Sequence, residues 1–110
     1  LADHDRELVI LTAATVHGCA FEWDSHLQIA IGAGVRQEVL DHLQGGPGQP
    51  TDHEELVISY VRRLCADSTV PADLFERARS AFGEAGVVEL TATVGYYTLL
   101  AYVMGAVDAC

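Results

Sequence analysis

Four residues between Glu7 and Gly34 have types and spacing suited to chemistry: Glu7, Cys19, Glu22 and His26, in ELVILTAATVHGCAFEWDSHLQIAIGAG. Glu22 and His26 are four apart, which sets them on one face of a helix, and Cys19 lies about one turn earlier on the same side. That face continues through Trp23, Leu27, Ala30 and Ala33, so it is expected to point inward. A carboxylate buried among apolar groups is costly unless it is paired, so Glu22 and His26 must be paired or put to use. A helical hairpin turning near Gly18 returns Glu7 to the level of His26. Glu7 stands roughly 16 Å of helix rise before the turn and His26 roughly 12 Å after it, at about 1.5 Å per residue. The expected product is a Glu/His/Glu cluster for proton transfer beside a thiol at a helix start, where the dipole favours thiolate.

The elements that position these groups read as helices throughout, because apolar residues recur three and four apart outside a few Gly/Pro clusters. A first helix runs from about Asp3, as N-cap, to His17, and its middle, LVILTAATV, is apolar on nearly every face, as in a helix buried on all sides. A second runs from Cys19 or Ala20 to Ala33 and a short third from Arg36 to Gln44, before the loop GGPGQP. Thr51 and Glu54 have capping-box spacing, which starts a fourth helix over Asp52 to Ala66. Pro71 opens a fifth that ends near Gly83 or Gly86, and a sixth covers Val87 to Ala109. The reading is a single all-α domain of about six helices over residues 1–110.

Leu90 to Val107 carries no charge, which meets the minimum length for a membrane span. Glu89 and Asp108 at its ends, the lack of flanking Lys or Arg, and three threonines and three tyrosines within it argue for a buried or interface helix instead. Two helices that are apolar all round exceed what one small core absorbs, so a homo-oligomer, a dimer, trimer or hexamer, is expected.

The spacing of the reactive residues resembles that of the carboxymuconolactone decarboxylase-like and alkylhydroperoxidase D-like family. That family has a Glu, then C-x-x-C at a helix start, then a His four residues past the second Cys. Here Glu7, Cys19-Ala20-Phe21-Glu22 and His26 keep the spacing, with Glu22 in the second cysteine's place. The segments VRRLCADSTVPADLFERARSAFGE and FGEAGVVELTATVGYYTLLAYVMGA resemble the family's later helices, so the likeness extends over essentially the whole chain. It implies an alkylhydroperoxidase D-like helical core. It also implies either decarboxylase-type proton transfer around a Glu and a His, or thiol-dependent peroxidase chemistry at Cys19. The missing second cysteine removes the local dithiol cycle and moves the chain towards the decarboxylase branch. A non-catalytic oligomeric binding module is the reading from a different class.

Trp23, Tyr96 and Tyr97 are candidates to wall a substrate pocket, and Arg36 to hold a substrate carboxylate. Cys65 reads as a small buried hydrophobe, and His4, His17, His42 and His53 as surface or satisfied residues. His26 with Glu22 supplies two ligands and no HExxH-type pattern adds more, so neither metal nor other cofactor is expected. Six basic against sixteen acidic side chains leave a net charge of −10, which disfavours nucleic acid and anionic membranes as partners and leaves a small-molecule substrate. Three cysteines without regular spacing argue against a disulfide framework and for a cytoplasmic protein. No basic leader followed by an apolar run stands at Leu1.

Overall fold

The computed structural model describes residues 1–110, and every regular element in it is helical: α1 Asp3–His17, α2 Ala20–Gly32, α3 Gln37–Leu43, α4 Asp52–Asp67 and α5 Ala72–Ala106. The all-helical expectation holds, and α1 is the central rod. Every residue from Glu7 to Ala14 is buried, and α1 touches each of the other four helices. This is what the all-round apolar run requires, since no face of it is suited to water. The core joins Leu8, Val9 and Leu11 of α1 to Val57, Ile58, Tyr60 and Val61 of α4 and to Leu74, Ala78, Val87, Leu90 and Val94 of α5.

The ends follow local chemistry. At Gly18 the chain takes φ 63°, and the Gly18 and Cys19 amides donate to the carbonyls of Thr15 and Ala14. The turn is therefore tight enough to fold α2 back along α1. Asp3 is not the N-cap: Ala2 holds that position and no side chain caps the helix, so Asp3 acts through its charge in the first turn. The box at α4 forms in full, Thr51 Oγ1 accepting from the Glu54 amide at 3.2 Å and a Glu54 carboxylate oxygen from the Thr51 amide at 2.7 Å.

The expected fifth and sixth helices appear as α5, a single element broken at Gly83, where φ is 77° and ψ 173°. Only glycine enters that region without strain, so the chain bends there without a separate loop. Beyond the break one side of α5 packs on the core while Val88, Leu99, Tyr102, Val103 and Val107 face outwards. α5 thus packs by one side only and is not the enclosed helix its apolar sequence suggests, 22% of its most apolar stretch being buried. It is long and apolar enough to cross a membrane, by length and composition alone.

Candidate functional site

The hairpin of α1 and α2 carries Glu7 to His26. The ring Nδ1–H of His26 donates to Glu7 Oε1 across 2.9 Å, and Nε2 on its other side lies 3.6 Å from Glu22 Oε2. Glu7 is 2% exposed and Glu22 6%, whereas the His26 side chain keeps 18% of its surface in contact with solvent. Two buried carboxylates therefore flank one imidazole whose edge reaches the surface. The four-residue spacing on α2 and the matched rise on α1 place these three groups, as the sequence predicts.

α5 packs a tyrosine against the imidazole, although Tyr96 and Tyr97 line neither of the two cavities in the structure and so do not wall a pocket as the sequence suggests. Tyr97 meets the His26 ring edge to face at a centroid distance of 5.4 Å, and the exposed Tyr96 packs on Tyr97 at 5.2 Å. Burial pushes the Tyr97 phenol above its ordinary pKa, and the nearby charges of Glu22 and Glu7 push the same way. Tyr97 is accordingly a neutral phenol throughout the physiological range.

Two expected members are elsewhere. Cys19 is not a free thiol at a helix start, for it forms a disulfide with Cys110, Cα atoms 4.5 Å apart. Nothing in the cysteine spacing announces a bond that closes 91 residues of chain, and the argument from spacing against disulfides fails at this pair. Cys19 also faces a different space, a cavity of about 350 Å³ lined by Ala14, Thr15, Gly18, Ala20, Trp23, Leu43 and Gln44. Trp23 walls that cavity, and neither of the two cavities in the structure is lined by Glu7, Glu22 or His26. The four sequence candidates thus divide into a proton-transfer trio and a disulfide on a neighbouring face of the hairpin.

Arg36 makes no contact with Glu7, Glu22 or His26. Its guanidinium donates to Glu54 at 2.7 and 3.1 Å, to Glu38 at 2.7 Å and to the Gln49 carbonyl at 3.1 Å, tying the start of α3 to the start of α4. The arginine beside the trio is Arg6, which sequence reasoning passed over. Its Nε lies 3.6 Å from Glu7 Oε2 and its Nη1 3.0 Å from Asp3. Its only signal was adjacency to Glu7, since a neighbour in sequence on a helix ordinarily points to a different side.

The remaining histidines are only partly as expected. His4 and His53 both bond Asp5 Oδ1, at 3.0 and 2.8 Å. His42 Nε2 is buried without a protein partner. His17 lies 2.9 Å from the Thr98 hydroxyl and 3.7 Å from Cys65, so Cys65 is a half-buried thiol beside an imidazole, not a plain hydrophobe. No group of three or more His, Cys, Asp or Glu side chains is arranged to hold a metal ion.

The model of the carboxymuconolactone decarboxylase family matches residues 1–45, a stretch that holds α1, α2 and α3 with Glu7, Cys19, Glu22 and His26. It is the family to which the residue spacing points. No curated protein and no solved structure matches the chain.

Proposed function

We propose that the chain is an enzyme of the decarboxylase-like kind that moves a proton at a carbon next to a carbonyl, in a small organic acid, lactone or related compound. His26 is the proton carrier in this reading. Imidazole is the side chain that gives and takes a proton most readily near neutral pH. Glu7 fixes which ring nitrogen carries the proton by accepting from Nδ1, which leaves Nε2, 3.6 Å from Glu22 Oε2, as the nitrogen that takes and returns the substrate proton. Arg6, which is partly exposed beside Glu7, takes the substrate-binding role first considered for Arg36. Tyr97, a neutral phenol packed on His26, is the hydroxyl donor offered to the substrate in this reading.

The observation that carries the proposal is a single imidazole between two buried carboxylates with one edge open to solvent. A test that does not require the substrate's full identity is deuterium exchange next to the carbonyl, followed by proton NMR in D₂O over a panel of lactones and keto acids. Exchange should fall by about a hundredfold or more in His26→Gln, within the usual range for loss of a general acid or base. Full exchange in a folded His26→Gln protein would remove the mechanism. In a binding module the same substitution would lower stability, and no compound would exchange.

A second reading rests on the Cys19–Cys110 bond. In a reducing compartment such bonds are usually transient and redox-active. The reduced pair would transfer two electrons to a hydroperoxide, giving an alcohol, water and the disulfide, and a small thiol would restore it. Peroxide consumption lost in Cys19→Ser but kept in His26→Gln would favour this chemistry over proton transfer.

A further inference from the structure

Away from Glu7 and His26, α4 and α5 border an open cavity of about 310 Å³ whose lining includes Leu64, Cys65, Val94, Thr98 and Tyr102. Cys65 is the chain's free cysteine, since the other two are joined. His17, at the end of α1, reaches it with Nε2 3.7 Å from Sγ. Thr98 Oγ1 stands 2.9 Å from that nitrogen and 3.9 Å from the sulfur, so its hydroxyl bridges the two. Tyr102 packs edge-on against the His17 ring at 5.7 Å and also faces the cavity. A thiol, a proton acceptor and a bridging hydroxyl thus meet at the wall of a space near the lower limit for a small-molecule site.

We infer that this cavity is a second reactive site, in which Cys65 adds to a small α,β-unsaturated carbonyl compound with His17 as proton carrier. The thiol proton passes to His17 Nε2 through the Thr98 hydroxyl. The sulfur lone pair forms the S–C bond at the β-carbon while the C=C pair moves towards the carbonyl. The imidazolium then returns the proton to the α-carbon, leaving a thioether with no oxidant or reductant consumed. This site is independent of the Glu7/His26 reading.

The surroundings fit a thiol that is quiet until a ligand arrives. Burial raises the Cys65 pKa, a hydrogen bond from Thr98 partly offsetting it, and burial lowers that of His17. Both groups therefore rest neutral, and reaction requires the proton transfer that their geometry provides. Half of the lining is apolar, which suits a compact carbon skeleton and disfavours charged thiol reagents.

The test uses the folded, unreduced chain and cyclohex-2-enone as probe, with adduct formation followed by intact mass at pH 7 and located by peptide mapping. One adduct at Cys65 is expected, absent from Cys65→Ser. His17→Asn should slow it by about a hundredfold, the lower end of general acid–base assistance. Thr98→Val should slow it while Thr98→Ser restores it, a rescue that keeps the test decisive if the His17 variant does not fold. A folded His17→Asn protein reacting within twofold of the parent overturns the inference. So does an unmodified Cys65, or a Thr98→Ser protein no faster than Thr98→Val.

Discussion

Glu54→Gln tests whether Arg36 serves as a structural clamp, as its contacts indicate. The glutamine carbonyl can still accept from the Thr51 amide, so the capping box survives and the substitution removes mainly the charge. Hydrogen bonds from Arg36 hold the Glu54 carboxyl down to about 2 from an ordinary 4.5, the Thr51 contacts adding to the effect while burial opposes it. By linkage that lowering corresponds to about 3 kcal/mol of folding stability at neutral pH. The Arg36 side chain is 40% exposed. Solvent screening around it reduces the figure to about 2 kcal/mol. Because the folded-state pKa is depressed, this contribution is fully present above pH 4.5 and is lost as pH falls towards 2. Urea unfolding of parent and variant at pH 7, 4.5 and 3 reads it directly. The gap should be about 2 kcal/mol at pH 7 and less than half of that at pH 3. A gap that stays flat from pH 7 to pH 3 would refute the charge argument and leave the contacts of Arg36 without energetic weight.

Three further expectations concern the frame around the site. Reducing Cys19–Cys110, whose bond spans 91 residues, should lower stability by up to about 4 kcal/mol on loop entropy, seen as a fall in the urea midpoint on adding dithiothreitol. An unchanged midpoint would show that the bond restrains nothing in the unfolded chain. Gly83→Ala should cost roughly 1–2 kcal/mol, because alanine resists the positive φ even though its methyl has open space, whereas Gly95→Ala in regular helix should be neutral or stabilising. Equal thermal midpoints for the two would contradict the assignment of the bend to Gly83. We expect the apolar outer side of α5 to be covered by a second copy of the chain, so Leu99→Glu with Val103→Glu should shift sedimentation from oligomer to monomer. A parent protein already monomeric at high micromolar concentration argues against that.

Most of the helical frame is legible in the residues because local signals agree with one another: Gly18 and the Thr51/Glu54 box mark ends that the structure keeps. The Glu7–His26 contact is legible for the same reason, since a tight hairpin brings together side chains that stand within a few ångströms of the same height above its turn. The rest depends on which way separate helices face. Cys110 meets Cys19, and Cys65 meets His17, through packing between distant segments that leaves no local periodicity. Arg36 misleads because nearness in sequence to the end of α2 says nothing of the direction of its side chain once the chain turns at Gly34. Gly83 shows the opposite limit. A glycine that reads as a helix end becomes a bend, since residues 84–106 resume the helix at once and no loop is needed.

Tyr97, which leans over the imidazole, and the outward Tyr96, Leu99 and Val103 stand on the same stretch of α5. A helix turns as a unit, so a body seated on its outside cannot shift or rotate it without moving the phenol ring on its inside. Occupancy of the outer surface and the placement of Tyr97 against His26 are therefore mechanically linked through less than two helical turns.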